Sequence, residues 1–242
     1  MIPLRDANPT RRRPVVTIGL IALCVAVFAY ELSVRASDGE AGLDRLFQAY
    51  GLVPAALTGG PGATGNTGWL SVLSSMFLHG DPFHIGFNML YLWIFGNNIE
   101  DRLGHVGFLA FYLGGGLVAA AAQVLVAPAS TVPVIGASGA IAAVLGAYLV
   151  LYPRARVLSL IYFGLFFQLI RVPAIALLGF WFAVQVFSAF VAAGSSDAGG
   201  GVALFAHIGG FVAGVAVGLL VRRSASGGGP RPLRSTDGVG VG

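Results

Sequence analysis

Apolar residues gather along the chain in seven runs, at about 15–32, 83–99, 106–126, 134–151, 157–170, 173–193 and 202–221. A helix needs roughly 20 residues to cross the hydrocarbon core, and fewer inside a bundle. Six of the runs qualify as spans. The run 157–170 has fourteen residues and ends at Arg171 and Pro173, which predicts an interfacial or re-entrant segment. Residues 33–82 predict a long first outer loop, rich in Gly and Thr from Thr58 to Gly68. Its apolar stretches, Leu52 to Leu57 and Trp69 to Leu73, predict a loop that rests in the membrane interface. The pattern defines an all-α membrane protein of six transmembrane helices. It has a cytoplasmic segment at 1–14, a membrane domain at 15–223 and a disordered cytoplasmic tail at 224–242.

Composition agrees. Of 242 residues 56% are hydrophobic and 10% charged, whereas a soluble domain carries roughly a quarter of its residues as charges. Lipid must solvate most of this surface. The net charge of +4 comes from arginines clustered beside apolar runs: Arg11 to Arg13, Arg154 and Arg156, Arg171, Arg222 and Arg223. Clusters of this kind mark cytoplasmic loops. With the N-terminus in the cytoplasm and six alternating helices, twelve of the fourteen arginines fall inside, and only Arg35 and Arg45 fall outside. No basic stripe with interleaved aromatics suggests nucleic acid. The single cysteine, Cys24, lies within the first run and cannot build a disulfide framework or a cysteine metal site. The first run also loosely resembles a signal peptide, but it is long for one and lacks an A-x-A site.

Polar groups at membrane depth are costly and point to function. His84 and Asn88 are four residues apart, so on a helix they share one face and can donate to one small acceptor. Taken alone, such a pair more often bonds neighbouring helices. Ser138 stands in Gly136-Ala137-Ser138-Gly139 at the start of a run, where free N–H groups and the positive end of the helix dipole would lie beside it. Alone, it reads better as a cap or a packing residue. His207 stands in Ala206-His207-Ile208-Gly209-Gly210, and Gly210, Gly214 and Gly218 form a stripe that lets another backbone approach. Six alternating spans place His84, Ser138 and His207 at similar depth below the outer surface; a seventh span would move His207 to the other leaflet.

At these positions the sequence resembles the rhomboid intramembrane proteases, over about residues 15–222. His79, His84 and Asn88 are similar to the family's second-helix motif, and Gly96 to Gly104, with Glu100 and Arg102, to the turn that follows it. Gly136 to Gly139 resembles the nucleophile motif, and Ala206 to Gly210 with Gly214 the helix bearing the base. Trp181 with Gln185 resembles the fifth-helix pattern, and Tyr50 to Pro54 the segment before the first loop's core. Two positions depart: Leu70 follows Trp69 where the family often has Arg, and Ala142 stands where an aromatic often stacks on the base.

The resemblance implies a dyad, with Ser138 as nucleophile and His207 as general base. It implies an oxyanion held by His84, Asn88 and the Ser138 backbone N–H, with Gly136, Gly139, His79, Gly210 and Gly214 in support. Glu100 and Arg102 are expected to form an ion pair that closes the turn between helices two and three, and Trp181 and Gln185 to be structural. Substrates would be transmembrane segments of other proteins, cut beside a small residue, in what would be a bacterial cell membrane. No metal or cofactor is expected. A catalytically inactive membrane-protein binder and a small transporter are the alternative readings.

Overall fold

The computed structural model describes residues 2–60, 68–163, 166–193 and 203–226. In chain order these form β1 (Ile2–Asp6), α1 (Val15–Tyr50), α2 (Pro54–Thr58), α3 (Leu70–Ser74) and a 3-10 turn (Ser75–Phe77). There follow α4 (Pro82–Tyr91), a π turn (Leu92–Gly96), α5 (Asn97–Val126) and α6 (Ser138–Leu151). The chain continues as β2 (Arg156–Phe163), β3 (Phe166–Pro173), α7 (Ala174–Ala193) and α8 (Leu204–Ser226).

Among the described residues three helical stretches are long and apolar enough to cross a membrane: Val15–Tyr50, Pro82–Val126 and Leu204–Arg223. Ser138–Leu151 and Ala174–Ser188 are shorter apolar helices. Gly104, at φ 73°, interrupts the helical backbone between the runs 83–99 and 106–126.

Three expectations change in detail, and the protein is mostly helical with one three-stranded sheet, where an all-α fold was expected. The helix that begins the first run does not end near residue 32. It continues through polar sequence to Tyr50, with a kink at Gly39, so much of the expected loop is helical. Ion pairs Arg35–Glu40 and Arg45–Asp38 lie on this extension. Of the remaining loop, Leu52, Val53 and Ala55 are buried against the bundle, whereas Trp69 and Leu70 face outward. The expected glycine-threonine stretch falls largely on residues 61–67, outside the described residues, as does the tail from residue 227.

The short run 157–170 forms a β-hairpin, β2 pairing antiparallel with β3 from Arg156↔Pro173 to Phe163↔Phe166. Branched and aromatic residues in both arms favour paired strands, and each arm is too short for a span. β1 adds to β2, from Ile2↔Leu160 to Asp6↔Val157, so the N-terminal segment contributes to a three-stranded sheet. Asp6 anchors it: its Oδ2 accepts from Tyr148 Oη at 2.8 Å and Asn98 Nδ2 at 2.7 Å.

α6 is the centre of the bundle, buried from Gly139 to Tyr148 and packed between α5 and α8. Missing side chains allow this. A Cβ on Gly146 would overlap the carbonyl of Phe211, and one on Gly210 the carbonyl of Gly139. Lipid supplies no hydrophobic drive between helices, so close backbone packing of small residues must hold them together.

The turn after the π segment differs from expectation. Glu100 does not pair with Arg102. Its carboxylate caps the start of α1, accepting from the N–H groups of Val16 (2.9 Å) and Thr17 (2.8 Å) and from Thr17 Oγ1 (2.7 Å). His105 Nδ1 lies 2.6 Å from the same carboxylate. The first N–H groups of a helix have no partner within it, and a carboxylate there meets both the donors and the dipole.

Candidate active site

Ser138 is the first residue of α6, and the segment before it is held from two sides. Val134 and Leu52 exchange backbone hydrogen bonds of 2.9 and 2.8 Å, and Gly136 N–H donates to Ser75 O at 2.8 Å. Gly136 has φ 121°, a conformation open to glycine, and a Cβ there would lie 2.7 Å from His84 Nε2. This close approach brings the His84 ring beside Ser138.

His84 is placed by the start of α4. Asp81 is the cap, its Oδ1 accepting from Phe83 N–H at 2.8 Å and His84 N–H at 2.9 Å, with Pro82 at the first helical position. Gly80 N–H approaches His84 Nδ1 at 3.4 Å. That arrangement turns Nε2, as an N–H donor, toward Gly136 and Ser138. Asn88, one turn further, is buried and donates to the His84 carbonyl at 3.0 Å. His79 is fully buried; its backbone N–H donates to the Glu31 carboxylate at 3.0 Å, and its ring meets that of His84 edge-on at 5.1 Å.

His207 comes from the first turn of α8. Its Nε2 is 2.7 Å from Ser138 Oγ. On the other side of the ring, Nδ1 is 2.9 Å from Gln185 Oε1 of α7, and the Trp181 ring lies 5.9 Å away at 42°. Gln123 of α5 steadies the start of α8, accepting from Ala206 N–H at 3.3 Å. A small cavity opens beside Ser138, lined by Val72, Met76, Gly116, Ala119 and Ala206.

Ser138, His207 and His84 therefore converge, with Gly136, Gly139 and Gly210 at the closest approaches and Gly214 further along α8. Asn88 lies one turn beyond His84 on α4. Glu100 and Arg102 lie elsewhere, near the beginning of α5, with the Glu100 carboxylate at the start of α1. Trp181 and Gln185, expected to be structural, stand against His207. Sequence reading missed Glu31 and Asp81. Asp81 followed by Pro82 is a helix-start signal, and a carboxylate at the end of an apolar run such as Glu31 is itself a signal. Chemically, a hydroxyl within hydrogen-bond reach of an imidazole can be activated as a nucleophile. N–H donors beside it can hold a developing oxyanion.

The class defined so far is a membrane-embedded helical protein with serine and histidine in contact inside the bundle. The rhomboid domain family model matches residues 66–224, more than half of the chain, and the chain belongs to the rhomboid family. Mitochondrial rhomboid protein 1 of Saccharomyces cerevisiae is 31% identical over 162 residues, covering 65% of this chain and 43% of that protein. The rhomboid protease GluP of Bacillus subtilis is 36% identical over 151 residues, 62% of this chain and 26% of GluP. The human mitochondrial presenilin-associated rhomboid-like protein is 37% identical over 97 residues, 39% of this chain and 25% of that protein. The matched region spans less than half the length of each of these relatives.

Proposed function

We propose that this chain is an intramembrane serine endopeptidase that hydrolyses peptide bonds in or near transmembrane segments of other membrane proteins. The observation that carries the reading is the 2.7 Å contact between His207 Nε2 and Ser138 Oγ. Ser138 Oγ attacks the peptide carbonyl carbon as its proton passes to His207 Nε2. The C–N bond then breaks, His207 gives that proton to the leaving amine, and an acyl-enzyme remains. Water, deprotonated by the same nitrogen, adds to the ester; the bond to Ser138 Oγ breaks, and His207 returns the proton to that oxygen. His84 Nε2–H and the Ser138 backbone N–H hold the oxyanion in both halves, with Asn88 as the further donor.

The cavity beside Ser138, walled by small residues and Met76, supports a small side chain next to the scissile bond. Six spans with both termini on the arginine-rich cytoplasmic side remain the preferred topology. The Gly104 break and the placement of His84, Ser138 and His207 near the N-terminal ends of their helices support it. The membrane is proposed to be a bacterial cell membrane; one relative is from Bacillus subtilis, and the yeast and human relatives are mitochondrial. An inactive binder would have no use for the Ser138–His207 contact.

A fluorophosphonate probe reacts with serines activated in this way. In detergent-solubilised full chain it should label the native protein and leave Ser138→Ala unlabelled, with His207→Ala strongly slowed. Equal labelling of Ser138→Ala would remove Ser138 as nucleophile.

A further inference from the structure

The proposed dyad leaves one matter of chemistry open on the far side of the base. A neutral imidazole carries one N–H; one ring nitrogen donates and the other accepts. To take a proton from Ser138, Nε2 must be the acceptor, so the ring proton must sit on Nδ1. In water both tautomers are populated. Something has to hold the proton on Nδ1 inside the bundle.

We propose that Gln185 is the positioning residue of this base: its side-chain carbonyl accepts from His207 Nδ1–H and so presents the Nε2 lone pair to Ser138. This rests on the reading of Ser138 and His207 as a catalytic pair. The three side chains form one hydrogen-bonded chain, with 2.9 Å from Gln185 Oε1 to Nδ1 and 2.7 Å from Nε2 to Ser138 Oγ. His207 is almost wholly buried, so water is a poor substitute for the amide oxygen. Trp181, four residues before Gln185 and so on the same face of α7, places its ring against both His207 (5.9 Å) and Phe211 (6.1 Å). Ala142 of α6 offers no ring to the base. α7 supplies both the acceptor that sets the tautomer and the aromatic wall that limits the tilt of the imidazole.

The choice of an amide has a physical logic. A carboxylate would orient the ring as well and would stabilise the imidazolium, but burying its charge at membrane depth is expensive. An amide has an equally good acceptor oxygen and no net charge. The base is then oriented without being made more basic by a neighbouring anion, which distinguishes this arrangement from an acid-assisted triad.

The test uses the full chain in detergent or nanodiscs. A transmembrane reporter is cleaved across a range of pH by the native protein and by Gln185→Ala, Gln185→Met and Gln185→Glu. Gln185→Met keeps the bulk and removes the acceptor, so it separates packing from tautomer control. Gln185→Ala and Gln185→Met should both lower kcat by about 10- to 100-fold, part of the roughly 100- to 10,000-fold that a positioned base contributes, with little change in KM. Gln185→Glu should recover kcat and move the acid limb of the profile to higher pH, because an anion beside the ring favours the imidazolium. Native kcat and pH profile in Gln185→Met would overturn the proposal.

A second arm does not depend on turnover. Nitrogen-15 spectra of histidine-labelled protein, with His207 assigned by difference from His207→Ala, should show the proton on Nδ1 in native protein and redistribution to both nitrogens in Gln185→Met. A proton on Nε2 in the native protein would overturn it. If no substrate is cut yet the tautomer behaves as expected, the protease reading fails while the Gln185–His207 link holds.

Discussion

Gly214 of α8 lies directly against the carbonyl oxygen of Ala143 in α6, so close that a single methyl group on Gly214 would overlap that oxygen. This contact sits two turns from His207 and one turn from Ser138. It sets the separation of the helices that carry the proposed nucleophile and base. Gly214→Val should therefore push α8 away from α6. A displacement near 1 Å at the reacting groups costs about 100-fold in rate, and forced overpacking costs about 1–3 kcal/mol. Loss of cleavage together with a lowered Tm is the expected outcome; a native rate would show that α8 adjusts without moving His207.

The oxyanion assignment makes a different kind of prediction. His84→Ala removes a donor that acts on the transition state, and losing one such donor typically costs about 100- to 1000-fold in kcat. KM and Tm should change little. A large rise in KM with unchanged kcat would instead make His84 a substrate-binding group.

Glu100 is predicted to matter for stability and not for chemistry. Glu100→Ala leaves the N–H groups of part-buried Val16 and buried Thr17 without their acceptor, at about 1–3 kcal/mol for the buried Thr17 donor. Thermal unfolding should start at lower temperature, while cleavage per folded molecule stays at the native level. Arg102→Ala should be milder, because the Glu100 carboxylate is engaged with α1 and His105.

Asp6 ties β1 to the bundle from outside the membrane spans. Burial pushes its carboxyl above the ordinary carboxylate value, partly offset by hydrogen bonds from Tyr148 and Asn98. A raised folded-state pKa means that this stability is complete in acid and is lost as pH rises through the Asp6 titration. Asp6→Asn keeps an acceptor oxygen for Tyr148 and Asn98 and removes the charge. Its Tm should match native protein in acid and exceed it by a margin that grows toward neutral pH. A constant margin would show that Asp6 does not titrate differently on unfolding.

Much of this architecture was legible from hydropathy because lipid forces apolar residues into runs of helical length and makes any polar residue within them conspicuous. Ser138, His207 and His84 stood out for that reason, and the structure brings them together. The extension of α1 from Ser33 to Tyr50 did not stand out, since its polar, charge-paired sequence carries no span signal and Gly39 and Gly42 suggest a loop. The hairpin β2–β3 was hidden for the opposite reason: its apolar arms look like a truncated helix until they are seen to pair with each other. Glu100 misled because Arg102 is its nearest cation in sequence, whereas its partners at Val16 and Thr17 lie more than eighty residues away. The contact between Gln185 and His207 is likewise tertiary, and no spacing rule exposes it.

The most direct measurement is cleavage of a reporter transmembrane substrate in membranes by native protein, Ser138→Ala and His207→Ala at matched expression. Cutting by the native protein with both variants silent is the predicted result. Cutting that persists in Ser138→Ala would contradict the assignment of Ser138 as nucleophile, and with it the proposed dyad.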